Sequence, residues 1–172
     1  SFTCFWMDTI MAWEKEKRSS NGLFWQYDVR DAMEETISGG RKEKNPRPSI
    51  NGYMYGNAEA LQKIALLKGD KQAALLYRKK ADTIKTLLQT KLWNSDHVFF
   101  EVKKEQGDTL SNVKEEIGFI PWYFNMPDGK YGSAWKYLID TKTFCAPSGI
   151  TTADRSHPLF RTHGCCNCEW DG

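Results

Sequence analysis

Asp28, Asp31, Glu34 and Glu35 lie within one stretch, NGLFWQYDVRDAMEETISGG from Asn21 to Gly40, together with the large aromatics Phe24, Trp25 and Tyr27. Carboxyls of this kind supply proton donors and acceptors. Flat apolar faces beside them lower the local dielectric and raise a carboxyl pKa, which is what a general acid needs near neutrality. The mixture is the one that sugar-cleaving chemistry uses. A plainer reading fits the same residues: acidic side chains suit the positive end of a helix, and the aromatics can be core.

The elements that must hold this stretch are legible on either side of it. Phe5 to Lys17 mixes apolar and charged positions in a helix-compatible way, and the Ser-Ser-Asn-Gly turn at Ser19 to Gly22 ends it. After the carboxylates, GGRKEKNPRPS from Gly39 to Ser49 is rich in glycine, proline and charge and is expected to be a surface connection. From Ile50 the positions Tyr53, Met54, Asn57, Ala58, Leu61, Ile64 and Ala65 recur at three- and four-residue steps, which predicts a helix with one buried stripe and Lys63 and Lys68 off it. Gly69 stops that helix and Asp70 caps the next, whose buried face is Ala74, Tyr77, Ala81, Ile84, Leu88 and Leu92. The two form an antiparallel helical hairpin with a very short turn.

Beyond Trp93 the pattern changes. His97 to Val102 is aromatic and β-favouring between turn-forming residues, so a short hairpin or extended excursion is expected. Glu115 to Phe124 is expected to be helical until Pro121 disturbs it, and Gly132 to Ile139 to form a further short helix. The remainder is read as mostly loop, and from Thr143 to Gly172 it is dense in hydrogen-bonding side chains, including Asp154, His163, Glu169 and Asp171.

The totals bound the function class. A chain of 172 residues can bury one substantial core, and one domain, 1–172, is the expectation. The net charge of +2, with basic and acidic residues interspersed, argues against a nucleic-acid partner. No apolar run reaches the roughly 20 residues that cross a bilayer, and the first residues carry no basic-then-apolar leader, as expected of a mature, processed or excised soluble chain. Seven tryptophans suggest a surface or cleft built for stacking, although wide helical cores use them as well. The cysteines Cys4, Cys145, Cys165, Cys166 and Cys168 are odd in number and unevenly spread, unlike a disulfide framework. HGCCNC, His163 to Cys168, has one Cys-x-x-Cys pair beside a histidine, yet no second pair at a distance completes a zinc site; packed thiols are expected, with no metal.

Taken in order, the segments resemble a known clan, the inverting glycosidases with an (α/α)6 barrel that include trehalases and glycoside hydrolase family 63. The likeness is nearest to bacterial mannosylglycerate-hydrolase-like, or glycogen-debranching-like, glycosidases. GLFWQYDVRDAMEETISGG resembles their acid-bearing loop, RPSINGYMYGNAEALQKIA the barrel helix after it, and EEIGFIPWYFNMP and CEWDG later segments that edge the pocket. The resemblance implies a mainly α fold, part of an (α/α)6 toroid of antiparallel hairpins with a short β-hairpin excursion. The clan's general acid sits in a pattern close to Gly-Met-Asp, which aligns with Ala32-Met33-Glu34. Glu34 is thereby the first candidate, and Asp31 stays in play because glutamate replaces the usual aspartate. Trp25, Asp28 and Trp122 resemble pocket-lining positions, and Glu169, Trp170 and Asp171 a sugar-contacting edge.

What the resemblance implies for chemistry is inverting hydrolysis of α-glucosides or related sugars. One carboxyl protonates the leaving oxygen while a second, roughly 6.5 to 9.5 Å away, activates water on the opposite face. The general base belongs to a later barrel segment, so the chain is expected to be an incomplete portion of a catalytic barrel, poorly active by itself. No cofactor is implied, the partner is a carbohydrate, and the family leans towards a periplasmic or secreted bacterial enzyme. A reading from another class is a tetratricopeptide-like interaction module without catalysis, suggested by the paired-helix texture from Asn57 to Leu88.

Overall fold

The computed structural model describes residues 11–27, 30 and 36–161. Its frame is a helical hairpin. Helix α1 is described over residues 11–17, α2 is Pro48–Leu67 and α3 is Lys71–Lys91. Pro at the first position of α2 suits a helix start, where its missing N–H costs nothing. Gly69 at φ +74° lets the chain reverse, and its N–H and that of Asp70 donate to the carbonyls of Leu66 and Ala65 at 3.0 and 2.9 Å. The Asp70 carboxylate then accepts from the Ala73 N–H at 2.9 Å, capping α3. Glu14 of α1 pairs with Lys80 of α3 at 2.5 Å, and Trp13 packs on the core between the helices.

All six expected face positions of α3, from Ala74 to Leu92, are buried. On α2 the stripe is narrower than its periodicity suggests: Met54, Ala58, Leu61 and Ala65 are buried, whereas Tyr53, Asn57 and Ile64 are exposed. Within the described residues α3 covers only one side of α2, so apolar positions on its flank stay open.

Among the described residues, three short antiparallel strand pairs decorate this frame. β1 (Trp25–Gln26) pairs with β2 (Asn45–Pro46), β3 (Trp93–Asn94) with β4 (Phe99–Phe100), and β5 (Cys145–Ala146) with β6 (Gly149–Ile150). The expected excursion after Trp93 is thus a hairpin. Its turn is tied by Asn94, whose side-chain oxygen accepts from the N–H groups of Asp96 and His97, and by buried Glu101, which accepts from Asn94 Nδ2 at 3.1 Å and the Asn112 N–H at 2.9 Å. Glu101 also meets His97 Nδ1 at 2.5 Å.

Pro121 opens a helical turn rather than disturbing one. A 3₁₀ turn, Glu116–Phe119, runs directly into α4 (Ile120–Tyr123), with proline in the first turn, where its fixed φ is already helical. Gly52 and Gly56 on α2 allow the close approach: a Cβ at Gly52 would stand 3.4 Å from Pro121 Cα, and one at Gly56 only 2.3 Å from the Phe124 ring. The next segment is likewise a 3₁₀ turn, Gly129–Trp135, followed by α5 (Lys136–Ile139). A second hydrophobic cluster, the rings of Phe99, Phe119 and Phe144 with Ala134, closes the fold there, with Trp93 and Trp122 packed against both it and the main core.

The expected surface connection needs correcting. Residues 41–44 are exposed, but 45–49 are buried and Arg47 has no accessible surface at all. Charge and proline density predict exposure only when no distant counter-charge awaits, and one does.

Gly118 tests the packing. A Cβ there would lie 2.3 Å from the Phe99 ring and 2.5 Å from the Phe100 carbonyl oxygen, which is backbone and cannot swing aside. Gly118→Ala is expected to cost about 2 kcal/mol or more, whereas Gly129→Ala, with nothing within 4 Å, should stay within about 0.5 kcal/mol. Urea unfolding of the two variants side by side checks the difference.

Candidate active site

The segment between Tyr27 and Thr36, which holds the candidate carboxylates, enters and leaves through two buried polar fastenings. At its entrance, Asn51 in the first turn of α2 acts as a clamp. Its side-chain oxygen accepts from the Phe24 N–H at 2.9 Å, and its amide nitrogen donates to the carbonyls of Phe24 at 2.9 Å and Arg47 at 2.8 Å. Those bonds lock the backbone just before β1 onto the start of a helix. Trp25 and Gln26 then pair with Pro46 and Asn45, and Gln26 Nε2 reaches Ser49 Oγ at 3.4 Å.

At the exit, Glu115 takes over. It is 2% exposed. Its Oε1 accepts the N–H groups of Ile37 and Ser38 at 2.8 and 3.3 Å, and its Oε2 accepts the Ser38 hydroxyl. Burial dominates its titration and pushes the carboxyl above the ordinary glutamate range, while the Ser38 hydroxyl and the Arg47 guanidinium pull it back. Arg47 Nη1 would stand 3.0 Å from a Cβ at Gly39, so a side chain at Gly39 would intrude on the guanidinium. The Ser38 carbonyl accepts from Lys104 Nζ at 2.5 Å. Thr36 Oγ1 is buried without a hydrogen-bond partner.

Glu115 is itself held from the other side. It bridges to Ala153 in an antiparallel register, Glu116 N–H donates to the Thr152 carbonyl at 2.8 Å, and Asp154 N–H to the Lys114 carbonyl at 3.0 Å. Asp154 is buried and pairs with Lys114 at 2.7 Å. Burial pushes its carboxyl up, but hydrogen bonds from Lys114 and Ser156 outweigh that and leave it below the usual aspartate range.

The described residues on either side of the carboxylate-bearing segment are thus held by buried polar side chains, Asn51 before it and Glu115 after it. The sequence model of the mannosylglycerate hydrolase MGH1-like glycoside hydrolase domain matches residues 7–172. The chain belongs to this family. Two solved structures bound the likeness: one named "Sialidase" is 52% identical, with a TM-score of 0.92 over 99% of this chain and 16% of its own. A glycoside hydrolase family 63 mannosylglycerate hydrolase from Thermus thermophilus, in complex with glucose, is 16% identical, with a TM-score of 0.58 over 78% of this chain and 32% of its own. An uncharacterized protein of Borreliella burgdorferi is 24% identical over 116 residues, which is 67% of this chain and 24% of that protein. The chain thus spans a third or less of each relative's length. Its mainly α architecture is shared with the family 63 helical-barrel structure, as expected.

Within this MGH1-like domain, Trp25 and Trp122 are the sequence-predicted site residues that the structure describes. Trp25 is 8% exposed, with the ammonium groups of Lys17 and Lys44 at 4.4 and 5.1 Å from its ring centroid. It lines an open hollow of about 450 Å³ with Ser19, Asn21, Lys44, Lys104 and Asp108. Trp122 is half-buried in the other aromatic group, 5.2 Å from Phe100 and 5.4 Å from Trp135. Asp28, Asp31, Glu34, Glu169, Trp170 and Asp171 lie outside the described residues, as do Cys165, Cys166 and Cys168. Among the described residues no group of three or more histidine, cysteine, aspartate or glutamate side chains is arranged to hold a metal, and no helix is long and apolar enough to cross a membrane.

Asn51, Arg47, Ser38 and Glu115 went unnoticed in the sequence. The signal for Arg47 was its place between two prolines at a helix start, and for Glu115 its place just ahead of the apolar run from Ile117 to Ile120.

The Lys114–Asp154 pair carries a pH prediction. Because the folded pKa of Asp154 is depressed, its stabilisation is present above the unfolded value, near 3.8, and is lost as pH falls through the folded value. Asp154→Asn is expected to cost about 2 kcal/mol at pH 7, and the gap between variant and parent should shrink at pH 3. Unfolding midpoints at the two pH values measure it.

Proposed function

We propose that this chain is the acid-bearing portion of an inverting glycoside hydrolase that acts on α-glucosides or related sugars. Glu34 donates the proton to the leaving oxygen, with Asp31 as the second candidate for that role. Asp28, Trp25 and Trp122 line the sugar pocket, and Glu169, Trp170 and Asp171 edge it. The general base is supplied by sequence outside these 172 residues, in line with the chain's spanning 32% of the mannosylglycerate hydrolase structure. The carrying observation is the fastening of the Glu34 segment at both flanks by buried side chains, Asn51 before it and Glu115 after it.

The chemistry follows from the inverting geometry. Two carboxyls set far enough apart to admit water act once each, one protonating the glycosidic oxygen and the other taking the proton of the attacking water. No covalent intermediate forms, and the anomeric configuration is reversed. The sialidase name of the 52% identical structure belongs to a chain of which this one matches 16%, and it supports adding sialosides to any substrate panel.

A scaffold without catalysis has less support. Among the described residues α2 and α3 make one long hairpin, and no second copy is stacked on it.

The test uses the full-length protein that carries this chain, assayed on α-glucosides, mannosylglycerate and sialosides. On the substrate turned over, Glu34→Gln is expected to lower kcat by about 10²- to 10⁴-fold with an unchanged melting temperature, and NMR of the first product is expected to show inversion. Full activity in Glu34→Gln with loss in Asp31→Asn would move the acid to Asp31. Full activity in both would end the proposal.

A further inference from the structure

We infer that Glu115 is a positioning residue for the proton-transfer step, acting through Ile37 and Ser38 on the segment that carries the acid; this rests on the hydrolase reading above. The case is geometric. Both carboxylate oxygens are committed: Oε1 holds two consecutive backbone N–H groups, at Ile37 and Ser38, and Oε2 holds the Ser38 hydroxyl. Two successive N–H groups on one oxygen fix the direction of the peptide plane, not merely its distance. Lys104 holds the carbonyl of the same Ser38, so this residue is gripped through its N–H, hydroxyl and carbonyl together.

The grip is long-range and anchored at its base. Glu115 stands 77 residues from Ser38 in sequence, and its own backbone is paired with Ala153. The Arg47 guanidinium, inside the core at the start of α2, stabilises its charge. One buried residue therefore ties three places together: its side chain holds the exit of the acid-bearing segment and interacts electrostatically with Arg47 at the start of α2, and its backbone pairs with Ala153. A glue residue of ordinary kind needs no such commitment, since an apolar contact would bury the same area without the desolvation cost of a carboxylate. Hydrogen bonds supply direction where apolar contact does not.

Ser38 is four residues after Glu34 in sequence. A shift of the exit by about 1 Å is of the size that costs about 10²-fold when it misplaces a reacting group. Shortening the side chain by one methylene in Glu115→Asp keeps charge and acceptors but draws them back by about that distance. Such a change harms proton donation specifically. A substrate whose leaving group departs without protonation escapes the harm.

The experiment compares the full-length parent with Glu115→Asp, Ser38→Ala and Glu34→Gln on two substrates: the unactivated glycoside turned over in the panel above, and the matching glycosyl fluoride. For Glu115→Asp, kcat on the unactivated glycoside is expected to fall about 10- to 100-fold with KM within about threefold, while turnover of the fluoride stays within about threefold. Ser38→Ala, which removes one of the three donors and, unlike Glu115→Asp, leaves the length of the buried side chain unchanged, is expected to show the same split at smaller size. Equal loss on both substrates in these variants, or no loss on either, overturns the positioning role. If Glu115→Asp is poorly folded, Ser38→Ala decides alone by the same criterion. Glu34→Gln separates the two proposals: a split in Glu34→Gln without one in the Glu115 and Ser38 variants leaves the acid assignment standing and removes this inference, and the absence of any split in Glu34→Gln refutes the acid assignment itself.

Discussion

A carboxylate withdrawn from water must find donors or counter-charge for its oxygens, and this demand at Glu115 organises much of the molecule. The donors come from the backbone and hydroxyl of residues 37–38, and the counter-charge from Arg47. Those groups belong to segments that have no local reason to meet. Their meeting holds the return of the aromatic and acidic stretch at a defined place above the α2 start, while Asn51 does the same for its departure with three hydrogen bonds to the backbone.

The helical hairpin beneath them serves as the rigid base. α3 buries every position of its apolar face, and the Gly69–Asp70 turn gives each helix end a partner for its unpaired backbone groups. On the other side of α2 the small residues Gly52 and Gly56 admit the Pro121–Phe124 turn, at the usual cost of glycine in a helix, about 1 kcal/mol each. That approach sets Trp122 against Phe100, Phe119 and Trp135. The aromatic content is thus used mostly as wall and core: Trp93, Phe99, Phe119 and Phe144 contact neighbouring rings edge-on or stacked, as quadrupolar rings prefer.

The chain belongs to the MGH1-like glycoside hydrolase family, and its mainly α architecture is shared with the Thermus mannosylglycerate hydrolase structure, of whose length it matches 32%. Exposed Tyr53, Ile64 and Leu67 on α2 lie on flanks that α3 does not cover. Narrowing of the buried stripe on α2 has the same cause, since periodicity reports which face a helix prefers to bury and not how much of that face a given neighbour reaches.

By itself the sequence determined the α2–α3 hairpin, its glycine stop and aspartate cap, the β3–β4 hairpin and the family, because each depends on residues close together along the chain or on motifs in a set order. Period, cap and turn chemistry are local, and local rules can be read in one dimension. Tertiary structure alone decided that Arg47 lies inside rather than on a surface loop, that Pro121 starts a turn, and that Glu115 rather than Glu116 turns inward to hold Ser38. In each of these the decisive partner is far away in sequence, and whether a charge or a proline is tolerated depends on that partner's donors and acceptors, which no local pattern records.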